Sequence, residues 1–114
     1  MEPPIHITYR GLDPSDALNR LIHDEAAKLG KFFDGIVTCR IAIDRPDGHH
    51  RHGAPYHVHV TVVVPGAELA ATSDEIVTQN DPALSVRDAF RRAKRRVREY
   101  ASRKHDPHGR AGIR

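Results

Sequence analysis

The chain predicts an α+β domain of order β-α-β-β-β-α, a four-stranded mixed sheet with two helices packed on one face. Three observations predict it. Four short stretches alternate apolar and polar residues at the two-residue period of a half-buried strand. Two longer stretches carry apolar residues at the helical period, each preceded by an Asp-Pro pair that suits a helix start. The length of 114 residues fits one domain, enough to bury a core without staples.

In chain order, Ile5, Ile7 and Tyr9 alternate with His6, Thr8 and Arg10 as a first strand, which Gly11 ends. Asp13 is the expected N-cap of the first helix, with Pro14 at its first position and Asp16 adding negative charge to the first turn. The apolar face runs through Leu18, Leu21, Ile22, Ala26, Leu29, Phe32 and Phe33, and the helix is expected to end between Gly30 and Phe33. Glu25 falls in the middle of that face, where a carboxylate requires a partner or water.

The second strand spans Ile36 to Asp44, with Val37, Cys39, Ile41 and Ile43 inward and Thr38, Arg40 and Ala42 outward. Because a helix separates it from the first strand, the two are expected to be parallel. The turn-rich segment from Arg45 to Ala54 leads to a third strand from Tyr56 to Val64, giving a hairpin. Pro65 and Gly66 form the next turn, and Ala67 to Ser73 is a weaker fourth strand with Leu69 and Ala71 inward. A loop is expected from Asp74 to Asn80. Asp81 and Pro82 then open the second helix. Residues 1–105 form the expected domain, and 106–114, rich in Gly, Pro and charge, an expected disordered tail.

The second helix carries the most informative charge pattern. Val86, Ala89, Phe90, Ala93, Val97, Tyr100 and Ala101 make its apolar band. Between Ser85 and Lys104 nine cations stand against Asp88 and Glu99, a net +7 in a chain whose total is +3, so the other 94 residues sum to −4. Arg87, Arg91, Lys94, Arg95 and Arg98 share one flank of the wheel, while Asp88 and Glu99 lie beyond it beside Arg92 and Arg103. Like charges four residues apart, as in Arg87/Arg91, Arg91/Arg95 and Lys94/Arg98, cost about a few tenths of a kcal/mol per pair. A polyanion relieves that repulsion, whereas a surface chosen for solubility mixes its signs. The flank therefore points to nucleic acid or another polyanion. The sheet face away from the helices is expected to present His6, Thr8, Arg10, Thr38, Arg40, His57, His59 and Thr61, a set without a carboxylate, as a polar surface or a secondary phosphate contact.

Other chemistries find little support. Cys39 is the only cysteine, which excludes an intrachain disulfide and reads as a small buried hydrophobe. No basic start with an apolar run marks a signal peptide, and no apolar stretch reaches membrane-spanning length, so a cytoplasmic protein without membrane partners is expected. His49, His50 and His52, with His57 and His59, could gather a transition metal, but no fixed ligand spacing accompanies them and no metal is assigned. Asp44, Asp47 and the histidines could supply acid-base groups. No nucleophile motif, phosphate loop or cofactor fingerprint joins them, so neither catalysis, a cofactor nor a small-molecule substrate is expected.

The runs DALNRLIHDEAAKLGKFFDGI, ELAATSDE and NDPALSVRDAFRRAKRRV, in this order of elements, resemble the ribosome hibernation-promoting factors, also called ribosome-associated translation inhibitors. The likeness spans roughly residues 5 to 104. It implies a fold related to double-stranded-RNA-binding domains, and a stress or stationary-phase factor that occupies the mRNA and tRNA channel of the small ribosomal subunit, contacts its rRNA and inhibits translation without catalysis. For a chain of this length it implies the short form, without the C-terminal dimerising domain of long members. Carried over by position, the family's helix-one lysine falls on Lys28 and its second-helix basic positions fall on Arg87, Arg91, Lys94, Arg95 and Arg98. The chain departs from the family in a longer, His-rich segment at 45–54 and in Gly30, where a charged residue is common. A general double-stranded-RNA-binding or nucleoid-type protein would use the same basic helix without ribosomal specificity.

Overall fold

A computed structural model of the chain describes residues 3–45, 55–78 and 81–105. Its elements are β1 (Ile5–Arg10), α1 (Asp16–Phe32), β2 (Thr38–Asp44), β3 (His57–Val64), β4 (Ala67–Thr72), α2 (Glu75–Thr78) and α3 (Pro82–His105). The sheet order is β1-β2-β3-β4, with β1 parallel to β2 and the other two pairs antiparallel. This is the expected mixed sheet. Ile7 lies opposite Ile41, and Ile41 opposite Val60, so one apolar row crosses three strands. The Pro65-Gly66 turn joins β3 to β4, with Gly66 at φ +83°, a conformation glycine adopts without steric cost.

α1 and α3 lie side by side on the same sheet face, α3 over β3 and β4. Ile22, Ile41, Ile43, Val58, Val60, Val62, Val86 and Val97 are all less than 2 % exposed. At about 1.5–3 kcal/mol for each fully buried aliphatic side chain, this layer supplies the main driving force for the fold. Tyr9 ties β1 to α1, its hydroxyl donating to the Ser15 carbonyl at 3.0 Å and sharing a 2.8 Å hydrogen bond with Asn19 Oδ1. At the far end, Phe33 meets Tyr100 edge to face with centroids 5.9 Å apart. Cys39 is buried as expected, and burial pushes its thiol up to about 11.

Several local expectations are corrected. The N-cap of α1 is Ser15, whose Oγ accepts from the Leu18 amide at 3.2 Å, so Asp13 and Pro14 precede the helix. Asp81 does cap α3, accepting from the Leu84 amide at 3.0 Å. Val37 is 53 % exposed and lies before β2, outside the inward row assigned to it. Phe32 is 40 % exposed and does not join the core. The expected loop after β4 holds the short helix α2, because Asp74 Oδ1 caps the Ile76 amide at 2.9 Å. His49, His50, His52 and Asp47, and the tail 106–114, lie outside the described residues.

One buried carboxylate fixes the junction of β4, α2 and α3. Asp88, 4 % exposed, accepts from the Asp74 amide and from Arg92 Nε, each at 2.9 Å, and pairs with Arg91. Burial opposes its ionisation, yet the hydrogen bonds from Asp74, Arg92 and Arg91 outweigh that cost and hold its carboxyl below the usual aspartate range.

Two predictions follow from this architecture. Val60→Asp places an unpaired carboxylate in the centre of the core, a cost of several kcal/mol against a total stability of roughly 5–15. Circular dichroism should then show no cooperative thermal transition. For Asp88, the depressed folded-state pKa means that its stabilisation is complete above the unfolded value, about 3.9, and drains away as pH falls through the lower folded value. Asp88→Asn should melt at a lower temperature than the parent at neutral pH. The gap should narrow in thermal scans taken below about pH 4.

Candidate nucleic-acid interface

The seam between α1 and α3 gathers all six cations singled out in the sequence. Burying Val86, Ala89, Phe90, Ala93 and Val97 against the sheet leaves Arg87, Arg91, Lys94, Arg95 and Arg98 exposed on one flank. Lys28 comes from α1, on the helix turn that also buries Leu29. Arg87, Arg91 and Lys94 share with Lys28 a cleft of about 220 Å³ floored by Leu29 and Phe90. A second hollow of about 360 Å³ runs along the outside of α3 between Arg91, Arg92, Lys94, Arg95 and Arg98, so Arg92, expected beyond the flank, also borders it. The two hollows share Arg91 and Lys94, so they form one continuous basic surface.

The pairing within this surface is uneven. Arg91 reaches back to Asp88, so the acid that the helical wheel places beyond the flank does pair with one of its five cations. Among the described residues, Arg87, Lys94, Arg95 and Arg98 form no ion pair. Their field is the uncompensated part. Arg92, expected on the acid-containing side, is compensated by Asp88 at 2.9 Å and by Asp74 at 3.5 Å. Arg96 points toward the sheet edge, donating to the Ala70 carbonyl at 2.9 Å.

Two residues outside the predicted set shape the seam. Phe32 presents its ring to the cations, with Lys94 Nζ at 4.7 Å and the Arg98 guanidinium at 5.8 Å from its centroid. Each such contact contributes about 0.5–1 kcal/mol at an exposed site and restrains a long side chain that would otherwise wander. The sequence signal for Phe32 was its place at the end of an apolar stripe, which reads equally as core. Glu25 is the second. Its carboxylate sits in the cleft, 17 % exposed, and accepts from Lys28 Nζ at 3.2 Å, while Lys28 itself is 74 % exposed. An array in which Arg87, Lys94, Arg95 and Arg98 have no matching carboxylate among the described residues suits a phosphate backbone.

The open sheet face is chemically different. Arg10, Arg40, His6, His59, Thr8 and Thr61 surround a shallow hollow of about 260 Å³ there. Glu68 pairs with Arg40 at 3.0 Å, and Asp44 follows Arg40 and Ala42 on the same side of β2. The face thus contains carboxylates, contrary to expectation. His57 lies 3.5 Å from Glu75 and His59 Nδ1 lies 3.1 Å from Thr72 Oγ1. Among the described residues no group of three or more potential ligands could hold a metal ion, and no helix is long and apolar enough to cross a membrane.

Comparison with known proteins places this geometry in a family. A sequence model described as sigma 54 modulation protein / S30EA ribosomal protein matches residues 5–105. Among solved structures, a ribosomal subunit interface protein from Coxiella burnetii superposes with a TM-score of 0.71 at 19 % identity, over 86 % of this chain and 97 % of that one. The N-terminal domain of Protein Y from Thermus thermophilus superposes with a TM-score of 0.67 at 16 % identity, over 88 % of this chain and 99 % of that one. No curated protein sequence matches the chain. At such identities the two structures establish the shared fold, and the family match covers nearly the whole described domain: the chain belongs to the sigma 54 modulation protein / S30EA ribosomal protein family, that of the ribosome hibernation factors its sequence resembles.

Proposed function

We propose that this protein is a cytoplasmic, non-enzymatic factor that binds the small ribosomal subunit under stress or in stationary phase and inhibits translation by occupying its mRNA and tRNA channel. The observation that carries the reading is the seam: Arg87, Lys94, Arg95 and Arg98, unpaired among the described residues, stand beside Lys28 on a rigid two-helix platform. Family membership and the fold shared with a ribosomal subunit interface protein and with Protein Y support the ribosome as the partner.

The mechanism is occupancy. rRNA phosphates neutralise the cations of α3, condensed counterions are released, and the domain fills space that mRNA and tRNA otherwise use. No bond is made or broken. Because α3 is held by its apolar stripe and by Asp88, the cations meet the RNA already ordered, which lowers the entropic cost of binding.

Sucrose-gradient sedimentation of a stationary-phase lysate tests the reading directly. A ribosome silencer travels with small subunits or whole ribosomes; a general double-stranded-RNA or nucleoid binder, which the same phosphate chemistry would serve, spreads over free nucleic acid. Affinity for isolated small subunits should also fall steeply with salt, with a log-log slope of several units. A flat salt dependence would point to an apolar protein-protein contact instead.

Charge reversal separates fold from function. Arg87, Lys94, Arg95 and Arg98 all lie off the apolar stripe, so changing the four to Glu should preserve the circular dichroism spectrum and a cooperative melt while abolishing co-sedimentation and repression of cell-free translation. Arg91 is left out of this set because a carboxylate there would face the buried Asp88. A folded four-Glu protein that still represses translation would shift attention to the open sheet face.

A further inference from the structure

We infer that the cleft between α1 and α3 reads one unpaired guanine of the bound RNA, with Glu25 as the residue that selects the base. The inference deepens the RNA-binding reading above and rests on it. It begins from a carboxylate that phosphate binding does not explain. Glu25 stands in the middle of the apolar face of α1, inside the one basic surface where a negative charge opposes phosphate. Its side chain is 17 % exposed and lines the cleft.

The cleft has the features of a base site. Leu29 and Phe90, each 3 % exposed, back the cleft, and the surface a flat purine would cover is mainly the methylene stems of Arg87, Arg91 and Lys94 that wall it. At about 220 Å³ it lies below the roughly 300–1,000 Å³ of sites for drug-sized ligands, a scale suited to one nucleobase. Arg87 and Lys94 stand at its rim, where the phosphates flanking an extruded nucleotide would lie.

Hydrogen-bond chemistry then chooses among the bases. A carboxylate accepts only, and an ammonium donates only. The Watson–Crick edge of guanine presents an acceptor, O6, beside two donors, N1–H and the N2 amino group. Glu25 can take both donors in a bidentate pair while Lys28, 3.2 Å from it, turns toward O6. Adenine and cytosine each offer Glu25 a single amino donor beside a ring acceptor for Lys28, and uracil sets one imide donor between two acceptors, so only guanine engages both carboxylate oxygens. The existing Glu25–Lys28 contact does not block the site. Lys28 is 74 % exposed, and surface pairs of this kind contribute little, so the ammonium moves at small cost while Glu25 stays in the cleft.

The test is competition binding at low salt, using uridine hexamers that carry one central guanosine, inosine, 7-deazaguanosine or adenosine. The guanosine and 7-deazaguanosine probes should bind at least about tenfold more tightly than the adenosine probe, with inosine, which lacks the N2 amino group, between them. Glu25→Gln should bring the guanosine-to-adenosine ratio close to one while melting like the parent protein. Equal affinity for all four probes, no binding to any of them, or an unchanged ratio in a folded Glu25→Gln protein overturns the inference. Co-sedimentation of the parent protein with small subunits, measured in parallel, reports separately on the ribosomal reading. Sedimentation with ribosomes without base preference leaves that reading standing and removes only the guanine site.

Discussion

The structure depends on one constraint: α3 must present a crowd of like charges to solvent while its other side is fixed to the sheet. The apolar stripe from Val86 to Val97 does the fixing, with every one of its residues nearly or fully buried. Repulsion of a few tenths of a kcal/mol per neighbouring pair is small against the burial of Val86, Phe90 and Val97, so the helix holds its cations in place and they do not unwind it. Asp88 adds a second anchor. It draws Arg91 and Arg92 inward and pins the α3 start to the Asp74 amide, and this decides which cations remain uncompensated.

Charge is therefore sorted by fold. Glu68 neutralises Arg40 on the open sheet face, and Asp74 and Asp88 neutralise Arg92 at the border of the outer hollow, while Arg87, Lys94, Arg95 and Arg98 remain unpaired among the described residues. A chain with a net charge of only +3 thus shows a polyanion one concentrated surface, because its carboxylates are placed elsewhere. The exposed ring of Phe32 belongs to the same economy, since it restrains Lys94 and Arg98 without adding a negative charge.

The sheet and both long helices were legible in the sequence because each rests on a periodic signal many residues long. Alternation through Val58, Val60, Val62 and Val64 fixes which face turns inward and excludes every slip by an odd number of residues, and the observed pairing of Ile41 with Val60 obeys it. Features set by single contacts were not legible. Asp13-Pro14 and Ser15 are both good helix-start signals, and the hydrogen bond from Leu18 decides between them only in three dimensions. Phe32 reads as core until α3 is seen to bring Lys94 and Arg98 over its ring. The pairing of Asp88 with Arg91 required knowing that the Asp74 amide turns the carboxylate inward; Glu68 falls on the open face by the same alternation that puts Leu69 inward, but its pairing with Arg40 two strands away needs the folded sheet. The five cations of α3 were legible because a helical wheel needs no tertiary information to place them on one flank, whereas Lys28, on α1, rested on the family resemblance alone.

The same distinction explains how 16 % and 19 % identity coexist with a shared fold. The sheet demands only that alternate positions be apolar and of suitable volume, and many residues satisfy that. The seam demands charge at a position more than a particular side chain, since phosphate is recognised by sign and distance. Glu25 answers to neither requirement: it stabilises no core contact and it weakens the field that attracts RNA. Within the structure its partner is Lys28 at 3.2 Å, and in the guanine-reading proposal donors on a base edge give it a second, directed partner that a phosphate cannot. On that proposal the platform separates two tasks that a single basic helix would merge, the outer flank of α3 supplying affinity and the cleft against α1 supplying discrimination.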